Sequence, residues 1–145
     1  MQDTSGAHVW LALAKAFRAL SDHAERSLNL SGARLGDSDF RVLEVLLHIG
    51  PLPVNTIGPK VWLTPGSISV AVDRLEKKTL VKRKNTEDRR VRLVELTPKG
   101  RALITKTFQE HATAMEDAAS VLSTEERLML LRLLKKLGKA RSGES

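Results

Sequence analysis

Thr64-Pro65 is the sharpest helix start in this chain, because the hydroxyl can accept from first-turn amides and the proline needs no donor. Behind it Ile68, Ala71, Val72 and Leu75 fall at i, i+3, i+4 and i+7, so a helix to about residue 78 buries one face. After Thr79 the period changes from helical to alternating. Leu80-Val81-Lys82-Arg83-Lys84 and Val91-Arg92-Leu93-Val94-Glu95-Leu96 read as two strands, with the polar stretch 85–90 between them. Upstream, Pro53 suits the first turn of a shorter helix over residues 53–62, with Val54, Ile57 and Val61 inward, joined to the next helix by Trp62-Leu63. Two short helices followed at once by a charged hairpin make a winged helix-turn-helix.

The flanks are longer helices. Val9, Leu13, Phe17, Leu20, Ala24 and Leu28 recur at spacings of three and four and predict one helix over 5–30, with possible caps at Thr4 and Ser5. Residues 32–36 break the pattern, and Asp37 or Ser38 can cap a helix carrying Phe40, Leu43, Leu46 and Leu47, which Gly50-Pro51 ends. Thr97-Pro98 repeats the cap-plus-proline device and opens a helix to about residue 121 carrying the apolar residues Ala102, Leu103, Phe108 and Met115. Ser123-Thr124-Glu125-Glu126 has capping-box spacing, and the last helix is expected to bury Leu128, Leu131, Leu134 and Leu137, with a disordered tail over 142–145. The expected fold is mainly α with a small β-hairpin wing. The chain is expected to divide into residues 1–34, a first long helix, 35–97, the winged helix-turn-helix lobe, and 98–145, the last two helices and the tail.

Charge says what that lobe meets. The chain of 145 residues has 24 Lys+Arg against 17 Asp+Glu, and the segment 74–101 alone holds eleven bases and four acids. The excess of seven in that segment equals the net charge of the whole chain, +7. A solvated surface usually mixes signs, so a one-signed block beside a helix-turn-helix reads as a footprint for phosphate. There is no cysteine, which removes disulfides, thiolate-held metals and thiol switches. No run of about 18 apolar residues and no basic-then-apolar N-terminus occurs, which gives the expectation of a cytoplasmic protein without a membrane partner.

The face of the 64–78 helix opposite its apolar stripe presents Gly66, Ser67, Ser69, Val70, Asp73, Arg74 and Lys77. Its low bulk at the N-terminal end lets such a helix enter a major groove, where Ser67 and Ser69 can reach base edges and Val70 a thymine methyl. The start at Thr64, Pro65 and Gly66 leaves first-turn amides free for a phosphate. In the hairpin tip, Asp88 two residues before Arg90 can hold the guanidinium for a narrow minor groove, while Arg89 and Lys84 meet flanking phosphates.

Leu75-Glu76-Lys77-Lys78-Thr79-Leu80-Val81-Lys82-Arg83, then Asp88-Arg89-Arg90, then Leu96-Thr97-Pro98-Lys99-Gly100, resembles the signature of the multiple antibiotic resistance regulator (MarR) family. The similarity runs over residues 5–137. It implies a homodimeric transcription regulator, with residues 1–34 and 98–145 as dimerisation helices around the DNA-binding lobe 35–97, acting as a repressor on a pseudo-palindromic operator and released by small phenolic or other lipophilic ligands. Helix 64–78 would then be the recognition helix and Arg90 the minor-groove arginine. His48-Ile49-Gly50-Pro51-Leu52-Pro53-Val54 and Leu63-Thr64-Pro65-Gly66-Ser67 further resemble the branch responding to catechols and hydroquinones. The family usually has Gly where Thr79 stands. Either Thr79 takes a left-handed conformation at a cost of about 1 kcal/mol, or the helix ends another way.

An effector site belongs where the dimerisation helices meet the winged lobe, since ligand sites favour such junctions. The residues to inspect are Trp10, Phe17, Phe40, His48 and Trp62, each of which also fits as ordinary core. The four histidines show no ligand spacing, no phosphate loop or nucleophile elbow occurs, and neither a metal, a cofactor nor an enzyme is expected. The same residues would also suit a nonspecific or architectural DNA-binding winged-helix protein without an effector, or a module whose basic hairpin meets an acidic protein.

Overall fold

The computed structural model describes residues 3–30 and 34–142. In chain order the elements are α1 (Gly6–Leu30), α2 (Asp37–Ile49), β1 (Leu52–Pro53), α3 (Val54–Lys60), α4 (Pro65–Lys77), β2 (Val81–Asn85), β3 (Arg92–Leu96), α5 (Pro98–Ala119) and α6 (Thr124–Ser142). The two hydroxyl-proline starts behave as their chemistry requires. Thr64 accepts from the Ser67 amide at 3.2 Å and Thr97 from the Gly100 amide at 3.0 Å, each with proline in the first turn. Ser123 and Glu126 close the reciprocal capping box of α6, at 3.2 and 2.8 Å. Residues 31–33, within the expected break after α1, and the tail 143–145 lie outside the described residues.

Three expectations need correction. The cap of α2 is Gly36, in an extended conformation and without a side-chain hydrogen bond, rather than Asp37 or Ser38. The acids of that first turn are engaged elsewhere: Asp37 pairs with Arg41 at 2.8 Å and Asp39 with Arg74 at 2.6 Å. Secondly, the wing is more than a hairpin, because Leu52 and Pro53 add a short edge strand, giving the antiparallel order β1-β3-β2. Proline is tolerated there because an edge strand leaves one row of amides unpaired. On α5 the buried residues are Gly100, Ile104 and Thr107, whereas Ala102 is exposed and Leu103, Phe108 and Met115 are half-buried. That buried stripe is set by the packing of α5 on α1 along one side and on α2 along another.

The third correction concerns the flanking faces. Among the described side chains of α1 only Leu28 is buried, while Val9, Phe17 and Leu20 are exposed, and on α6 Leu128, Leu131, Leu134 and Leu137 are exposed. Among the described residues, most of these apolar side chains are left open to solvent. The core is instead that of the lobe, with α2 at its centre. Val42, Leu43 and Leu46 meet Ile57 and Val61 of the α3 segment, Ile68, Val72 and Leu75 of α4, Val81 and Val94 of the sheet, and Ile104 of α5.

The turn out of α4 fixes the lobe to α5. Thr79 has φ 60°, so the left-handed alternative is the one adopted. Its amide bonds to the Glu76 carbonyl at 2.9 Å and that of Leu80 to Leu75 at 3.0 Å, the paired bonds of a Schellman stop. Thr97 donates its hydroxyl to the Thr79 carbonyl at 2.6 Å and its amide to Leu80 at 3.1 Å, so the start of α5 lies on this turn. The approach is close enough to demand glycine at position 100, where a Cβ would stand 1.9 Å from the Leu80 carbonyl oxygen. Gly100→Ala is therefore expected to cost about 3 kcal/mol or more through backbone displacement. Gly138→Ala, whose Cβ meets nothing within 4 Å, should be neutral or slightly stabilising in the same urea titration.

Candidate nucleic-acid interface

Ile68, Ala71, Val72 and Leu75 are all buried, so the opposite face of α4 is turned out as the periodicity requires. Gly66, Ser67, Ser69, Val70, Asp73, Arg74 and Lys77 lie on it, all exposed, and a Cβ at Gly66 would meet nothing within 4 Å. In the free chain both serine hydroxyls are engaged within the helix. Ser67 Oγ accepts from Thr64 at 2.9 Å and Ser69 Oγ donates to the Pro65 carbonyl at 3.0 Å. Rotation about one bond turns either hydroxyl outward from the helix.

Arg74 is not the free cation that its position on the sequence implies. Its Nε lies 3.0 and 3.1 Å from the two carboxylate oxygens of Asp39, and its Nη2 lies 2.6 Å from one of them. Asp39 is 2% exposed, while about half of the Arg74 side chain remains open to solvent. The Asp39 hydrogen bonds hold the Arg74 guanidinium pKa above its ordinary value, against a smaller opposing effect of desolvation. Arg83 is placed in a similar way. From β2 it reaches back to Asp73 at 2.7 Å and Glu76 at 2.8 Å, and the hydrogen bond to Asp73 raises its pKa. These two pairings were not read from the sequence. The available signal was Asp73, an acid on a face otherwise suited to phosphate, which only an internal cation explains.

The wing carries its own fixed geometry. Val81 to Asn85 pair with Leu96 to Arg92, and Lys82 faces Glu95 at 3.3 Å across the ladder. At the tip Thr86 donates to the carbonyls of Asp88 and Val91, closing the turn. Asp88 Oδ1 receives the Arg90 amide at 3.1 Å and approaches its Nε at 3.4 Å, so the expected Asp88–Arg90 contact is formed. The Arg90 side chain is 92% exposed, and Arg89 and Lys84 are exposed beside it.

Of the five effector candidates, three come together. Phe17 of α1, Phe40 of α2 and Trp62 line a cleft of about 570 Å³, with Arg41, Glu44 and His111 completing its walls. His48 lies elsewhere, exposed, its ring 4.8 Å from Phe108. Trp10 is 70% exposed near the start of α1 and does not line the cleft. Nor are Trp10, Phe17 and Trp62 the ordinary core that their apolarity allowed, since all three are exposed. Sequence reading missed Arg41 and His111, whose Nε and Nδ1 are buried without a hydrogen-bond partner among the described residues.

Residues 35–91 match the model of the MarR family. The HTH-type transcriptional regulator MhqR of Bacillus subtilis is 39% identical over 131 residues, 90% of this chain and 89% of the relative. This chain belongs to the MarR family. It is a MarR-family transcriptional regulator of the winged-helix type, with DNA-binding and ligand response as features typical of the family. Among solved structures, NadR in complex with 4-hydroxyphenylacetate superposes with TM-score 0.79 at 25% identity, covering 94% of this chain and 99% of that one. A MarR family protein from Bacillus stearothermophilus shares the fold with TM-score 0.78 at 24% identity, covering 98% and 99%.

Asp39 and Arg90 should separate folding from contact. Asp39→Ala strands a half-buried guanidinium and is expected to cost about 2 kcal/mol, below the range for a fully buried pair because Arg74 keeps some solvent. Arg90→Ala should change stability by less than about 0.5 kcal/mol in the same denaturant titrations.

Proposed function

We propose that the chain is a homodimeric repressor that binds a pseudo-palindromic operator in double-stranded DNA and leaves it when a small aromatic effector occupies the cleft. The observation that carries this reading is the unpartnered apolar surface of α1 and α6. Among the described side chains of α6 only Arg127 is not exposed, yet the helix carries Leu128, Leu130, Leu131, Leu133, Leu134 and Leu137. An isolated helix of this length gains too little from its own backbone to be stable in water, and its leucines need a packing partner. A second copy supplies that partner with matching stripes, and residues 1–34 and 98–145 would then form the dimerisation arms around the 35–97 lobes. A twofold dimer places two α4 helices to read two half-sites.

On each half-site, α4 from Thr64 and Pro65 enters the major groove. Ser67, Ser69 and Val70 meet base edges while the first-turn amides grip a phosphate. Arg90, steadied by Asp88, enters the flanking minor groove, and Lys77, Lys84 and Arg89 contact phosphates. Arg74 is assigned chiefly to positioning, through its open edge at most to a phosphate. The phenolic class of effector is supported by the aromatic lining of Phe17, Phe40 and Trp62. It is also supported by the relation to a solved structure that holds 4-hydroxyphenylacetate.

Two measurements test this. In sedimentation, wild-type protein should run as a dimer, and removal of residues 1–13 should yield monomer; a stable dimer lacking that segment contradicts the interface. In anisotropy titrations against a duplex that the wild-type protein selects from a random pool, Lys84→Ala should flatten the salt slope by about one unit. Arg90→Ala should lower affinity roughly tenfold with an unchanged melting temperature. Equal affinity for scrambled duplex would favour the architectural alternative.

A further inference from the structure

Trp62 occupies the turn between α3 and α4 with φ 56°, a left-handed conformation that costs a non-glycine residue about 1–2 kcal/mol. Backbone bonds within the turn and a side chain from outside it both hold the indole there. Arg41 of α2 donates from Nη1 to the carbonyl of Val61 at 2.7 Å, and its guanidinium carbon stands 5.9 Å from the centre of the Trp62 ring. Asp37, one helical turn earlier, fixes Nη2 at 2.8 Å. The turn also closes on itself as a Schellman stop, with the Val61 amide 3.2 Å from both Ile57 and Gly58, the Trp62 amide 3.5 Å from Pro59 and the Leu63 amide 3.0 Å from Gly58.

We propose that Arg41 is a positioning residue for DNA binding, clamping the strained Val61–Trp62 turn and thereby the entry of α4, and that the cleft acts on DNA through it. Both halves of the clamp, Arg41 and Trp62, are walls of the cleft. The guanidinium Nε is buried without a partner among the described residues, which makes Arg41 the donor-rich wall that an effector hydroxyl or carboxylate would draw away from Val61. On the same two turns of α2, Asp39 holds Arg74. A shift of this segment therefore reaches the recognition helix at its start and at its third turn. The part of the proposal that concerns the cleft rests on the effector reading above. A ligand moves such an equilibrium only through contacts that differ between the two states, and the Arg41 clamp is such a contact.

The test is amide exchange on the full-length protein. Arg41→Met keeps the aliphatic stem and removes the guanidinium. It should speed exchange of the Leu63 amide about tenfold and leave the core amide of Ile104 unchanged. With Trp62→Gly, which accepts a positive φ without strain, the same Arg41→Met change should speed Leu63 by no more than about twofold. Equal acceleration in both backgrounds, acceleration that extends to Ile104, or none at all overturns the positioning role. Hydroquinone added to the complex with the selected duplex supplies the second arm. Release from wild type but not from Arg41→Met/Trp62→Gly supports the coupling, and equal release from both overturns it. Release from neither removes the effector reading, while the exchange arm still decides the role of Arg41.

Discussion

The buried carboxylate of Asp39 is the contact on which the orientation of α4 depends. A carboxylate taken out of water is costly unless it is paired and hydrogen-bonded, and here both oxygens meet Arg74 from the recognition helix. That requirement lets α2, the centre of the core, dictate the rotation of α4 about its axis. The far end of α4 is fixed by the Schellman stop at Thr79 and the close approach of Gly100, and its flank by Arg83 from the wing. Helix and wing thus form one rigid unit.

The same pairings explain how the basic segment works. Glu76 and Glu95 within it, and Asp73 just before it, are matched with Arg83 and Lys82, and Asp88 with Arg90. These four acids are therefore matched within the lobe. The outward cations Lys77, Lys84, Arg89 and Arg92 remain to set the field that a phosphate backbone would meet.

The lobe was largely legible in the sequence because its signals are local. Thr64-Pro65, Thr97-Pro98 and the Ser123–Glu126 box each act within one helical turn, and the change of period after Thr79 marks the wing. Asp88 and Arg90 are two residues apart, so their contact could be read as well. What escaped was nonlocal: Asp39 with Arg74 across 35 positions, Arg41 with Val61 across 20, and the two-residue strand at Leu52–Pro53, too short to show alternation. The effector candidates were chosen by aromaticity, which located Phe17, Phe40 and Trp62. It could not separate them from Trp10 and His48, because lining a cleft depends on which helices meet. Burial on α1 and α6 was read from periodicity alone, which says that a face is apolar but not which molecule covers it.

A hydroxyl-radical footprint of the full-length protein on its selected duplex tests the central claim most directly, because it reports symmetry and groove together. The account predicts two equal protections on one side of the duplex, related by a twofold axis and about one helical turn apart, each flanked by a protected minor groove. A single protection, or a continuous one without symmetry, would contradict it.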